Sequence, residues 1–161
     1  MLSNGFTRHF GLRAPTMQAP MGGVAGPELV SAVCNAGTLG APPIWLLPLD
    51  AAHGAVERTR SMTDGPFAVD VRADLPQADH VAAAVDGGAA IVHLFCGAPQ
   101  PLAAAVRASG AKLAVTVASA NEAKEALDAG AALTVRSTGR SRKAHCARPR
   151  RVAVAAGRGT A

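Results

Sequence analysis

Residues 90–117 read AIVHLFCGAPQPLAAAVRASGAKLAVTV, and this stretch decides the fold. Its ends, 90–95 and 112–117, are short, continuously apolar runs that read as strands. Residues 101–109 between them form an Ala-rich helical segment closed by Gly110. A strand–helix–strand connection of this length returns the chain parallel to itself, whereas a hairpin needs only a two-residue turn. Continuous rather than alternating apolarity suits strands covered on both faces.

The same unit repeats outward in both directions. Upstream, 16–21, 38–40 and 66–71 read as strands, with helices at 27–37 and 50–61 between them and a further helix at 77–86 leading into 90–95. Pro27 suits a first helical turn and Gly37 a helix end. Downstream, Ser119 N-caps a helix that runs to Gly130, with Glu122 completing a capping-box pattern, and 131–135 starts a sixth strand. Five βα units at roughly 20–35 residues each define an α/β protein with a parallel sheet. Two architectures fit, a doubly wound sheet and a (β/α)8 barrel of the TIM type. A dinucleotide-binding sheet would carry G-x-G-x-x-G after the first strand. The sequence has Gly22-Gly23-Val24-Ala25-Gly26 there, with a different spacing. The barrel is favoured.

A closed barrel of this type takes about 250 residues, and the chain has 161. The expectation is a barrel truncated after five to six βα units: an N-terminal extension (1–13), a partial barrel (14–135) and a basic tail (136–161). Open strand edges and a partly uncovered interior predict low stability or association into oligomers through those edges.

Composition narrows the class further. Hydrophobic residues make up 49% of the chain, enough to offset chain entropy and to argue against disorder. Three separated cysteines, Cys34, Cys96 and Cys146, give neither a disulfide framework nor a CxxC zinc site. No metal centre is expected. No apolar run reaches membrane-spanning length, and the N-terminus lacks signal-peptide character, so a cytoplasmic protein without a membrane partner is expected. The net charge of +5 misleads. Eight of the 16 Lys and Arg residues fall in the last 28 positions, which contain no Asp or Glu; the rest carries 8 basic against 11 acidic groups. Such a tail reads as a nucleic-acid or anionic-surface patch, as a solvated extension, or as the product of a frame break in GC-rich DNA. The frame break is favoured, and a nucleic-acid partner is not.

Several blocks carry a resemblance. The run Gln18-Ala19-Pro20-Met21-Gly22-Gly23, followed by Pro27-Glu28-Leu29-Val30 and Asn35-Ala36-Gly37-Thr38-Leu39-Gly40, resembles the opening of the nitronate monooxygenase (2-nitropropane dioxygenase) family, Q-A-P-M-A-G-G and P-E-L-V-A-A-V-S-N-A-G-G-L-G. Residues 60–70 are similar to R-x-L-T-D-x-P-F-G-V-N, 91–99 to V-V-S-F-x-F-G-x-P, and 115–123 to T-V-x-S-x-x-E-A. Five blocks in one order, over about residues 14–133, make the likeness specific.

The resemblance implies a (β/α)8 barrel that binds FMN and oxidises alkyl nitronates with molecular oxygen. The flavin would lie over the carboxyl ends of the strands. It implies Met21 and Gly22 as cofactor-binding residues, where glycine lets backbone approach a planar ring. Asp70 falls where the family usually has a flavin-binding Asn; a carboxylate accepts hydrogen bonds but cannot donate one unless protonated. Some members carry a catalytic His two residues before the glycine that ends strand four. Phe95 occupies that position here. His93 lies two residues earlier on the same face and is the candidate catalytic base, alongside the reading of a hydrogen-bonded interior histidine. Trp45, in the Pro-rich loop after strand two, reads either as overhanging the pocket or as an incidental surface aromatic. After strand six the family continues Q-G-x-E-A-G-G-H, and the chain has Arg136-Ser137-Thr138-Gly139-Arg140 instead. The alternatives are an FMN-dependent enoyl-acyl-carrier-protein reductase-like protein and a non-catalytic barrel fragment.

Overall fold

The computed structural model describes residues 4–137. Four strands, β1 (Ala68–Arg72), β2 (Ile91–Phe95), β3 (Lys112–Val117) and β4 (Leu133–Arg136), form a parallel sheet in sequential order. Helices α4 (Ala78–Asp86), α5 (Gln100–Ala108) and α6 (Ala120–Asp128) make the crossovers. Ahead of β1 lie α1 (Gly5–Phe10), α2 (Pro27–Asn35), a 3₁₀ turn (Ile44–Leu46) and α3 (Leu49–Met62).

The two earliest predicted strands are present only as isolated parallel bridges. Met17 pairs with Leu39, Gly40 with Phe67 and Pro43 with Asp70, which extends the strand order without forming a ladder. Pro42 and Pro43 have no N–H to donate, and Pro20 likewise ends the first run. The Gln18 side chain fills in: its Oε1 accepts from Ala41 N at 3.2 Å, and its Nε2 reaches Ala41 O at 3.4 Å and also contacts Ala19 O.

Side-chain alternation along the strands separates the two faces. Val69, Val71, Val92, Leu94, Leu113, Val115 and Val117 form one cluster with Val30, Val56, Val81, Val106 and Ala126 from α2–α6. Every crossover helix packs on that face. Sequential order with helices on a single face is barrel-type winding; a doubly wound sheet carries helices on both. The opposite face is therefore the inner one. At its amino end Ala68, Ile91 and Ala114 meet Leu39, Ala41 and Leu12, with Phe6, Phe10 and Leu133 packed around them.

Helix α1 covers that end and is absent from the sequence reading. Its capping box pairs Asn4 with Thr7 rather than with Glu or Gln: Asn4 Oδ1 accepts from Thr7 N, and Thr7 Oγ1 from Asn4 N. At α6 the Ser119 cap is as read, with Glu122 N donating to Ser119 Oγ at 3.2 Å. The reciprocal bond falls one residue early, because Glu122 Oε2 accepts from Ala118 N at 2.9 Å. The reading of 136–161 as a basic tail or frame-break product lies, from residue 138 on, outside the described residues.

Candidate active site

The carboxyl ends of the strands surround a cleft of ≈ 1070 Å³. Met21, Gly22, Asp70 and His93, the four residues singled out in the sequence, all line it. Asp70 and His93 are register partners on neighbouring strands, both on the inner face. They are 2% and 5% exposed.

His93 sits between two partners. Its Nδ1 lies 2.7 Å from Asp70 Oδ1, a close contact off the line of a straight N–H hydrogen bond. Its Nε2 lies 2.7 Å from Thr116 Oγ1 on β3. An ionised carboxylate can only accept, so a proton on Nδ1 removes the clash of facing lone pairs. In the neutral ring Nε2 then carries the lone pair, and the Thr116 hydroxyl donates to it. Three inward positions on three adjacent strands thus make one polar line. Thr116 escaped the sequence reading. The register pairs His93 with Ala114, and the contact is made two residues further along β3, an offset no local pattern carries.

A second wall comes from the loop before α3. Trp45 packs edge-to-face on Phe95, centroids 5.5 Å apart. The Arg72 guanidinium lies 5.2 Å from the Trp45 centroid and 5.9 Å from that of Phe95, held by two bonds to Asp74 of 2.9 and 2.7 Å. Those bonds to Asp74 are the main reason its pKa is raised further above the ordinary arginine value. Gln77, 5% exposed, ties the loop down: its Nε2 donates to Trp45 O at 3.0 Å, and its Oε1 accepts from Arg72 N at 2.9 Å. His80 Nε2 meets Leu47 O at 2.9 Å. Trp45 lines the cleft, which decides between the two readings of its position.

The opening loop supplies the third wall. Met21 is 42% exposed. A Cβ on Gly22 would meet Leu46 Cδ1 at 2.6 Å, so a side chain there would have to displace the tip of Leu46. Among the described residues, the amides of Met21, Gly22 and Gly23 donate to no acceptor. Behind β2 the chain turns sharply through Cys96 at φ 56° and Gly97 at φ 140°. A Cβ on Gly97 would come within 2.9 Å of Asp74 N, so the loops after β1 and β2 touch backbone to backbone.

Cys34 is buried in the outer cluster, and desolvation pushes its thiol pKa up. Among the described residues no three His, Cys, Asp or Glu side chains group as metal ligands, and no helix is long and apolar enough to cross a membrane.

Comparison with known proteins places this geometry. The family model for nitronate monooxygenase matches residues 5–85. A carboxyl-CoA dehydrogenase of Rhodococcus jostii, named for a hydroxy-methyl-oxo-octahydroindene substrate, is 34% identical over 131 residues, 81% of this chain and 37% of that protein. A nitronate monooxygenase of Paraburkholderia phytofirmans is 44% identical over 70 residues, 43% of this chain and 19% of its own length. The chain thus spans little more than a third of the first relative. Among solved structures, FabK from Thermotoga maritima superposes with a TM-score of 0.80 at 25% identity, over 84% of this chain and 44% of that one. With half of its residues under one family model and the parallel barrel-type sheet in place, the chain belongs to the nitronate monooxygenase family.

Proposed function

We propose that the chain contributes one wall of an FMN-dependent oxidoreductase site, whose substrate is an alkyl nitronate oxidised with molecular oxygen. The observation that carries this reading is the cleft at the strand carboxyl ends, where an apolar rim surrounds buried polar groups. That combination suits a planar, mostly apolar ring with a polar edge.

The residues present fit such a ring. Met21, Trp45, Leu46 and Phe95 offer apolar surface, and the amides of Met21 and Gly22 offer donors for ring carbonyl or nitrogen atoms. Bound there, the flavin would supply the two-electron acceptor that side chains lack. Asp70 bears on the ring differently from an amide, because its carboxylate accepts and is already engaged with His93. His93, buried and held on both sides, has the geometry of an oriented base. The Trp45–Phe95 wall excludes water from one side of the cleft and favours small apolar substituents on the substrate.

A second reading follows from the longer alignment, which is to a carboxyl-CoA dehydrogenase. There the substrate would be an acyl thioester, with redox chemistry at carbons near the carbonyl, the class to which enoyl-acyl-carrier-protein reduction also belongs.

The test is direct. FMN is titrated into the purified chain while its visible absorbance bands are followed, and oxygen uptake is then measured with propyl nitronate. Saturable band shifts and nitronate-dependent uptake are expected. Unperturbed bands and no uptake refute the proposal, whereas NAD(P)H consumption with an enoyl thioester and none of the oxygen uptake moves the assignment to the second reading.

A further inference from the structure

The polar line Asp70–His93–Thr116 has an order to it. Exposure rises from 2% at Asp70 to 5% at His93, and Thr116 is the half-buried member. All three border the cleft, yet Nε2, which carries the lone pair when the ring proton is on Nδ1, faces the Thr116 hydroxyl 2.7 Å away. A substrate approaching Nε2 meets that hydroxyl first. The inner positions nearer the amino ends are Ala68, Ile91 and Ala114, all buried and apolar. Protons on His93 therefore have their exit toward the cleft, not through the floor of the sheet.

We infer that Thr116 is the catalytic terminus of a proton relay, Thr116–His93–Asp70, which takes a proton from a carbon acid in the cleft. The inference rests on the proposed nitro-compound substrate and deepens it, since the relay would admit neutral nitroalkanes as well as nitronates. The step balances. The C–H bond α to the nitro group breaks, and its electron pair delocalises into the nitronate. The proton passes to Thr116 Oγ1 as the Thr116 hydroxyl proton passes to His93 Nε2. The resulting imidazolium is held by the Asp70 carboxylate at 2.7 Å. Threonine alone is far too weak a base, and His93 alone has its lone pair occupied; the pair together supplies an oriented acceptor. His93 and Asp70 act through Thr116 and are positioning residues in this scheme.

Two other carboxylates border the cleft, Glu122 and Glu125 on α6. Both are rivals for the same proton, so the experiment must separate them from the relay. Turnover of nitroethane is compared with turnover of pre-formed ethyl nitronate, which has no proton to lose. In Thr116→Val the hydroxyl is exchanged for a methyl of the same shape. The ratio of nitroethane to nitronate turnover is expected to fall by about 10²-fold, and Thr116→Ser should restore it. Equal loss on both substrates, no recovery with serine, or a ratio that falls instead in Glu122→Gln or Glu125→Gln overturns the relay.

A second measurement is independent of activity. Nitrogen-15 spectra of the His93 ring should report a proton on Nδ1 and a hydrogen-bonded, unprotonated Nε2, whose signal moves in Thr116→Val. A ring protonated on Nε2 at neutral pH, singly or doubly, overturns the proposal. If the parent chain oxidises neither compound, the proposed substrate class fails, while the ring spectra still decide the relay.

Discussion

The two faces of the sheet are built from the same strands and solve different problems. On the outer face each inward turn of a helix meets Val or Leu, and the cluster is apolar from end to end. On the inner face the character changes along the strand. Apolar residues sit at the amino end beneath α1, and Asp70, His93 and Thr116 at the carboxyl end. Period-two alternation lets one strand carry a packing code on one set of alternate positions and a chemical code on the other. A buried polar contact is a poor source of stability, since desolvation opposes it. On the proposed reading, the inner line serves the chemistry of the cleft.

The largest test of this division is Leu94→Ala on the outer face. Leu94 is fully buried, so the substitution should cost about 2–5 kcal/mol in urea unfolding, with local collapse setting the value. A loss no larger than that of a surface mutation would break the comparison. Ala114→Leu attacks the inner amino end, also fully buried; overpacking there should cost about 1–3 kcal/mol. A neutral result would mean that this layer has room and is not the packed floor described above. Ser119→Ala removes the α6 cap and should cost about 1 kcal/mol by the same unfolding assay, a purely local effect on the outer layer. The smallest effect belongs to Glu28→Gln at the α2–α3 bridge. Its own backbone amide first, and the Arg58 guanidinium next, hold the Glu28 carboxyl below the ordinary carboxylate range. That contribution is present above the unfolded-state value and is lost as pH falls through the depressed folded-state one. Wild type and variant should differ slightly in thermal midpoint at neutral pH and converge in acid.

Much of the outer face was legible in the sequence. The apolar runs at 66–71, 90–95 and 112–117 have the composition of doubly covered strands, and Pro27, Gly37, Ser119 and Gly130 punctuate the helices close to where the structure does. The first two runs were overcalled because their prolines and glycines allow bridges but no ladder. Helix α1 is not legible because it is six residues long and its capping box, opened by Asn4, has Thr7 where the recognisable pattern has Glu or Gln. At the site, Asp70 and His93 could be placed on one face by counting in twos, but not at 2.7 Å, which needs the register of β1 on β2. Thr116 and Gln77 depend on contacts 23 and 32 residues apart. Such distances are set by sheet stagger and loop packing, to which a linear pattern is blind.

The strapped loop before α3 has one consequence of another kind. Trp45 is the only tryptophan in the chain, and Gln77, Arg72 and Phe95 hold it on the rim of the cleft. Its near-ultraviolet emission therefore comes from one place, with no background to subtract. Any yellow ring that settles beside it absorbs where indole emits and will darken it by energy transfer. The molecule carries its own lamp at the door of its site.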